Sequence, residues 1–171
     1  MEPSPPHCLF LFGLAGAGKT YLGRLIAERF GYTAYDLDSD LTPEMREAIA
    51  AKLPYTEEMR DEFFDVVIRR IAELKVLHPR LVLMQAAYKE RHRIKVRQAY
   101  PEIQFVWVDA PLEIIQQRLT ARRDAISPEY ALSIMANFEP PCDLSMRLVN
   151  DLSAHDDLAR RFEELLRAPR G

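Results

Sequence analysis

The chain has 171 residues, of which 48% are hydrophobic and 29% charged, and its formal net charge is −3 at pH 7. This composition is typical of a globular protein, and we expect residues 1–171 to form a single domain. The net negative charge argues against a nucleic-acid partner or an anionic membrane surface, and no apolar run of 18 residues predicts a membrane span. Only two cysteines, Cys8 and Cys142, are present. Their spacing matches no CxxC motif, which favours a reducing, cytoplasmic compartment.

Predicted strands and helices alternate along the chain. Residues 1–7 come first; they lack the basic and apolar regions of a signal peptide and are predicted to form a flexible tail. The predicted strands are mostly continuous apolar runs, which is typical of strands covered on both faces. They span 8–12, 33–35, 81–85, 103–108 and 147–150. Predicted helices cover 21–30, 56–74, 87–99 and 111–122, and further helices begin after Thr42, Ser127 and Ser153.

Residues 13–20 read Gly-Leu-Ala-Gly-Ala-Gly-Lys-Thr and fit the phosphate-binding loop pattern G-x-x-x-x-G-K-[ST]. The alternative is a glycine-rich turn, but the motif lies between a predicted strand and a predicted helix, as a phosphate loop requires. Glycines let backbone N–H groups point into one concavity, and the helix N-terminus favours anions. Lys19 would lie near the β- and γ-phosphates, and the Thr20 hydroxyl suits Mg²⁺. The predicted nucleotide-binding residues are Gly13, Ala15, Gly16, Ala17, Gly18, Lys19, Thr20 and Tyr21.

Asp36 and Asp38 follow the second predicted strand. If the strand continued, its period of two would place both side chains on one face. Two like charges side by side are unfavourable unless a cation or a proton-accepting role offsets them, so we expect them to hold Mg²⁺ or to accept a substrate proton. The alternative is a turn in which aspartate side chains cap local N–H groups.

Arg118 and Arg122 are four residues apart on a predicted helix, where like charges weaken the helix unless an anion binds between them. The alternative is stabilisation by the helix dipole alone. An irregular segment follows, and we expect it to form a lid over the phosphates with its tip at 123–127. With the loop and the β–α alternation, the sequence predicts a three-layer α/β P-loop NTPase fold with a five-stranded parallel sheet, helices on both faces and this short lid.

Among the remaining cations, only Lys89 is a candidate for the site on position. It lies nearest the end of the third predicted strand, whereas Arg60, taken alone, is an ordinary helix-surface arginine. The basic residues of the helix from 87 to 99 are expected to form a solvated face. They are Lys89, Arg91, Arg93, Lys95 and Arg97.

Three stretches resemble one family of small kinases. Residues 13–31 are similar to the pattern G-x-x-G-x-G-K-[ST]-x-x-G-R-x-[LI]-A, which gluconate and shikimate kinases share. Residues 36–60 align without a gap with the gluconate kinase pattern that runs from D-x-D to D-R, and residues 84–89 resemble its A-C-S-A-L-K. The chain therefore looks most like the gluconate kinases among the P-loop sugar kinases, with shikimate kinases next.

This resemblance implies ATP-dependent phosphorylation of a small sugar acid or polyol. ATP would bind the loop and Lys19, and Thr20 with Asp36 would position Mg²⁺. Asp38 would be the base or hydroxyl partner. Arg60 and Lys89 would hold a substrate carboxylate, and Arg118 with Arg122 would neutralise the γ-phosphoryl group. Family members are often dimers, so a homodimer is expected to be possible.

Three departures from the gluconate kinase pattern lie on the acceptor side or in the lid. The histidine that follows the aspartate pair is replaced around Leu41 and Thr42, Cys-Ser is replaced by Gln85-Ala86, and the Gly-His-Phe of the lid by residues 124–126. A kinase with a shifted acceptor fits these changes. Two alternatives remain open: a nucleotide-binding module or weak ATPase without a small acceptor, and a nucleoside-monophosphate kinase.

Overall fold

The computed structural model describes residues 5–121, 133, 135–142, 146–151 and 154–167. Within these ranges five parallel strands form one sheet in the order β2-β3-β1-β4-β5. The strands are β1 (Cys8–Phe12), β2 (Thr33–Asp36), β3 (Leu81–Met84), β4 (Gln104–Asp109) and β5 (Arg147–Val149). The helices are α1 (Lys19–Phe30), α2 (Pro43–Ala50), α3 (Glu57–Leu77), α4 (Glu90–Ala99), α5 (Leu112–Ala121) and α6 (His155–Arg167), with a 3₁₀-helix at Leu37–Asp40.

The sheet is buried between two helical layers, and β1 shows why. Its successive side chains point to opposite faces, so Phe10 and Phe12 join one apolar core while Leu9 and Leu11 join the other. Helices α3 and α4 cover the first face, and α1 and α6 cover the second. This arrangement confirms the predicted α/β fold with a five-stranded parallel sheet and helices on both faces.

Most predicted elements are confirmed with small shifts at their ends. Each strand lies within one residue of its predicted position, and Thr42 and Thr56 cap α2 and α3 by accepting backbone N–H bonds from Met45 and Met59. Helix α4 begins at Glu90 rather than at 87, because Ala87 has a φ of 43°, outside the helical range. The helix predicted after Ser153 is α6. The predicted lid tip at 123–127, Arg122 and the predicted helix start at Ser127 lie outside the described residues.

Part of the predicted tail is bound to the sheet. The backbone N–H of Leu81 donates to the carbonyl of His7 at 2.9 Å, which extends the ladder between β1 and β3. The Tyr32 hydroxyl donates to the carbonyl of Pro6 at 2.6 Å. Residues 6 and 7 are therefore held in place, contrary to the expectation of flexibility up to residue 7. None of the helices in the described ranges combines the length and the apolar character that crossing a membrane requires.

Candidate active site

The predicted site residues come together at the carboxyl edge of the sheet. The phosphate loop follows β1, Asp36 ends β2, Gln85 follows β3 and Asn150 follows β5. Ligands of parallel α/β sheets bind beyond this edge, where the chain leaves successive strands. The topology therefore explains why residues distant in sequence surround one concave surface.

The glycines of the loop are required by close contacts with its surroundings. Gly18 has a φ of 97°, and a Cβ atom there would lie 2.1 Å from Nδ2 of Asn150. Gly13 has a φ of 143°, and its Cβ would lie 2.1 Å from the carbonyl oxygen of Val108. Larger residues at either position would force both a strained backbone and a displaced neighbour.

The side chain of Lys19 turns back toward the start of the phosphate loop. Its ammonium group donates hydrogen bonds to the carbonyl oxygens of Gly13 at 2.9 Å and Leu14 at 3.0 Å. Thr20 and Tyr21 are exposed on the first turn of α1, and the Tyr21 hydroxyl is 2.8 Å from Nδ1 of His155. The loop thus brings the positive charge of Lys19 to the N-terminus of α1, where the helix dipole favours anions, and this arrangement is suited to phosphate.

Arg118 and Asn150 support the loop from the other side. Nη1 of Arg118 donates to the carbonyls of Gly16 at 3.0 Å and Ala17 at 3.2 Å, and burial lowers the pKa of this guanidinium. Buried Asn150 donates from Nδ2 to the Ala17 carbonyl at 3.1 Å. Sequence reasoning missed Asn150, although a polar residue directly after a buried strand at this edge was a usable signal. The predicted contact of Arg118 with a γ-phosphoryl group stays a prediction.

Residues of the phosphate loop line the larger of two neighbouring cavities, which has a volume of about 910 Å³. Its volume falls within the range of about 300–1,000 Å³ that is typical of ligand sites. Its lining brings together most of the predicted nucleotide and metal residues. They include Ala15, Gly16, Gly18, Lys19, Thr20, Tyr21, Asp36, Asp38 and Arg118.

Asp36 and Asp38 are neighbours, but the prediction that they lie on the same face of a strand is wrong. Strand β2 ends at Asp36, and Asp38 lies on the 3₁₀-helix, so the two carboxylates do not share a strand face. Instead Oδ1 of Asp36 accepts the backbone N–H of Asp38 at 3.0 Å and caps the 3₁₀-helix. The alternative, in which an aspartate side chain caps a local N–H group, is therefore confirmed for Oδ1 of Asp36.

Oxygen atoms of the kind that Mg²⁺ prefers line the larger cavity. They belong to the Thr20 hydroxyl and the Asp36 carboxylate. The described residues contain no cluster of three or more His, Cys, Asp or Glu side chains suited to a metal. Mg²⁺ does not need such a cluster, because it keeps several waters and is usually held by one or two protein oxygens together with substrate phosphates.

The Asp38 carboxyl group is reached from two cavities. More than a third of its surface is exposed, yet the surrounding protein restricts its hydration and the nearby Asp36 carboxylate adds like charge. Both effects raise the pKa of Asp38, whereas a hydrogen bond from Gln85 and the charge of Lys19 oppose the rise. A carboxylate with a raised pKa is a better proton acceptor than an ordinary aspartate, which suits a general base.

A smaller cavity of about 220 Å³ lies beside the first and shares Asp38, Gln85, Ala86 and Tyr88 with it. Its lining includes the two predicted substrate cations, Arg60 and Lys89. The rest of the wall is largely apolar or aromatic. It includes Leu41, Met45, Ile49, Tyr55, Phe63, Phe64 and Tyr88.

The two cations of the smaller cavity already have acidic partners. Nε of Arg60 is 3.5 Å from a carboxylate oxygen of Glu57, and its guanidinium lies between the rings of Tyr55 and Tyr88. Nζ of Lys89 is 3.2 Å from Oε1 of Glu139. An acceptor anion would therefore compete with these carboxylates for the same cations.

Helix α4 does not present its basic residues as a single solvated face. Arg93 is fully buried: its guanidinium lies over the rings of Phe12 and Phe138 and donates to the carbonyls of Ala87 and Tyr88. The prediction for Arg93 is wrong because an ion pair with Glu90, together with these stacking contacts and hydrogen bonds, offsets the cost of burying the charge. The others also pair with acidic partners: Arg91 with Glu57 and Asp61, Lys95 with Asp65, and Arg97 with Glu90.

Comparison with known proteins identifies the family. A sequence model described as shikimate kinase matches residues 15–135, more than two thirds of the chain. The chain belongs to the shikimate kinase family. The match includes Lys19, Asp36, Asp38, Arg60, Lys89 and Arg118.

Curated relatives include kinases with different acceptors in their names. The chain is 32% identical over 116 residues to the chloroplastic shikimate kinase of Solanum lycopersicum, a match that covers 67% of this chain but only 37% of that protein. It is 36% identical over 154 residues to the adenylyl-sulfate kinase of Chloroflexus aurantiacus, covering 82% of this chain and 77% of the relative. Adenylyl-sulfate kinases were not among the alternatives considered from the sequence.

The fold matches that of solved kinases. A gluconokinase from Sinorhizobium meliloti 1021 superposes with a TM-score of 0.79 over 96% of this chain and 93% of the other, at 22% identity. The relatives and the family model together confirm the predicted resemblance to the P-loop small-molecule kinases, a class of enzymes that includes shikimate kinases and gluconokinases.

Proposed function

We propose that this chain is an ATP-dependent phosphotransferase that acts on a hydroxyl group of a small sugar acid or polyol. One observation carries the proposal: Asp38 lines both the cavity that contains the phosphate loop and the smaller cavity that contains Arg60 and Lys89. A hydroxyl bound beside Asp38 from the smaller cavity would face the terminal phosphate of ATP bound to the loop. The chain would then perform in-line transfer mainly by positioning and electrostatics.

On the nucleotide side, Lys19 and the backbone amides of Ala15, Gly16 and Gly18, which line the larger cavity, would hold the triphosphate. The predicted amides of Gly13 and Ala17 instead donate to the carbonyls of Ala86 and Leu14. Thr20 and Asp36 would hold Mg²⁺, which supplies charge neutralisation at the phosphates when bound. Arg118, with Arg122 of the segment outside the described residues, would neutralise charge that develops on the transferred group. We also propose the cytoplasmic location inferred from cysteine usage.

On the acceptor side, Asp38 would accept the proton of the attacking hydroxyl. The acceptor oxygen forms a bond to the γ-phosphorus, and the bond from that phosphorus to the bridging oxygen of ADP breaks. The raised pKa of Asp38 supports this assignment, because proton transfer is most efficient when the base is not too acidic. Arg60 and Lys89 would bind a carboxylate of the acceptor in exchange for Glu57 and Glu139.

The size of the smaller cavity favours a compact acceptor. Its volume of about 220 Å³ is below the range of roughly 300–1,000 Å³ typical of pockets for drug-sized ligands. A nucleoside monophosphate or adenylyl sulfate needs more room than a six- or seven-carbon acid. The presence of Arg60 and Lys89 in the smaller cavity also argues against the alternative function, a nucleotide-dependent switch that has no small acceptor.

The test is acceptor-dependent release of ADP. Purified protein with Mg-ATP is given gluconate-like acids, polyols, shikimate, adenylyl sulfate and nucleoside monophosphates in separate reactions. We expect a small hydroxy acid or polyol to stimulate turnover, and Asp38→Asn to reduce that turnover by about 10²–10⁴-fold while Mg-ATP still binds. Asp65→Asn, on the surface of α3, is the matched control and is expected to keep full activity.

Other outcomes of the same panel decide against the proposal. Stimulation by nucleotides alone would assign the smaller cavity to a nucleotide acceptor. Equal ADP release in every reaction would indicate an ATPase or a switch. Full activity in Asp38→Asn would remove Asp38 from the chemistry even if the acceptor class proved correct.

A further inference from the structure

Gln85 connects two elements of the site through the two ends of its side-chain amide. Nε2 donates a hydrogen bond to Oδ1 of Asp38 at 3.1 Å, and Oε1 accepts the backbone N–H of Ala87. Gln85 lies directly after β3, and Asp38 belongs to the 3₁₀-helix after β2, so the side chain spans the carboxyl ends of adjacent strands.

The second hydrogen bond determines which end of the amide faces Asp38. A backbone N–H can only donate, so it selects the carbonyl oxygen of Gln85 and leaves the NH₂ group for the carboxylate. The Ala87 backbone is itself constrained, with a φ of 43° and its carbonyl bound to the buried Arg93 guanidinium. The amide is thus oriented by a part of the loop that the core holds in place.

We propose that Gln85 is a positioning residue that holds the Asp38 carboxylate at the boundary between the two cavities by tying it to the backbone of the loop after β3. Gln85 lines both cavities, as Asp38 does. Its amide stands where the gluconate kinase pattern has Cys-Ser, whose shorter side chains would not span the same two partners. This inference rests on the proposed function, in which Asp38 accepts the proton of the acceptor.

The arrangement has a measurable consequence for the position of Asp38. The hydrogen bond from Gln85 fixes Oδ1 of the exposed Asp38 side chain relative to the loop after β3. Without that bond the carboxyl group can adopt other rotamers and leave the boundary between the two cavities.

The experiment compares the position of the Asp38 side chain in crystal structures of the parent and of Gln85 variants without any acceptor. Gln85→Met keeps the length of the side chain and removes both hydrogen bonds, and Gln85→Asn keeps the amide but is too short to reach both partners. Gln98→Met, exposed on α4, is the matched control.

We expect the Asp38 carboxyl group to leave the boundary between the two cavities in Gln85→Met and Gln85→Asn but to keep its position in Gln98→Met, and we expect Mg-ATP binding by calorimetry to be unchanged in all three. In the acceptor assay the Gln85 variants should lose kcat while the KM for the acceptor is kept. An unmoved Asp38 carboxyl group in a folded Gln85 variant would overturn the proposal. Loss of the fold in both variants would also overturn it, because Gln85 would then serve the fold rather than Asp38. Failure of the proposed kinase activity would appear in the acceptor panel and would leave the structural comparison unaffected.

Discussion

The two sides of the site are built in different ways. On the nucleotide side, one continuous segment of residues 13–20 supplies the concavity, and nearby side chains such as Asn150 and Arg118 bind its carbonyls. On the acceptor side, Asp38, Arg60 and Lys89 come from three separate segments, and each is held by a different partner.

This difference explains why one side could be recognised more easily than the other. The phosphate loop is a backbone structure, so its requirement for glycine is written in consecutive residues. The acceptor cavity depends on side-chain pairs that are far apart in sequence, and each pair can change without altering the loop. We therefore expect changes on the nucleotide side to affect turnover with any acceptor, and changes at Arg60 or Lys89 on the acceptor side to alter only recognition of the acceptor.

Of the three further variants that compare the two sides, Lys19→Met is expected to have the largest effect. The ammonium group is the cation inside the loop, and removing a preorganised charge that stabilises the transferred phosphoryl group should lower kcat by roughly 10²–10³-fold. The measurement is ADP release with the best acceptor of the panel. Lys95→Met, which removes a surface pair with Asp65, should leave kcat unchanged. Equal kcat values in the two variants would contradict the assignment of the nucleotide side.

An intermediate effect is expected from Arg60→Met, and it should fall on KM. A hydrogen bond to a charged group contributes about 1.5–3 kcal/mol, so loss of the guanidinium should raise KM for an anionic acceptor by roughly 10–100-fold. The affinity for ATP should not change. Arg69→Met, exposed on the same helix, is the control. A rise in the Kd for ATP with no change in KM for the acceptor would reverse the division between the two sides.

The smallest effect is expected from Asn150→Ala. The Ala17 carbonyl would lose one hydrogen bond but keep that from Arg118, so the loop should loosen without collapsing. A single neutral hydrogen bond contributes about 0.5–1.5 kcal/mol, which corresponds to a rise of roughly 2–10-fold in the Kd for Mg-ATP by calorimetry. Asn137→Ala, exposed outside the site, should bind as the parent does. An unaltered Kd in Asn150→Ala would show that Arg118 alone suffices.

The sequence correctly predicted the structural elements that depend on local patterns of residues. The apolar runs of the five strands and the threonine caps of α2 and α3 depend on neighbouring residues, and they lie where expected. Arg93 was placed on the surface, because its burial depends on the rings of Phe12 and Phe138, which are distant in the chain. The expectation that Asp36 and Asp38 share one face was wrong, because after Asp36 the chain turns into a 3₁₀-helix that the Asp36 side chain caps.

The candidate site followed the same rule. Lys19 and the loop glycines were identified from one motif, and Lys89 from its place at the end of a predicted strand, whereas Arg60 was found only through resemblance to a family. Asn150 and Gln85 were missed as site residues, because their importance lies in contacts with Ala17 and Asp38, which belong to segments that follow other strands. Patterns of single residues carry no information about such pairs.

The most direct test of the account is the fate of the γ-phosphate. In a reaction with Mg-ATP and a stimulating acceptor, ³¹P NMR should show a new phosphate-ester signal that grows in step with ADP, and Asp38→Asn should suppress both. That result would show that the terminal phosphate passes from the larger cavity to a hydroxyl in the smaller one. Formation of ADP with inorganic phosphate alone, across every acceptor, would contradict the claim that the two cavities act together at Asp38.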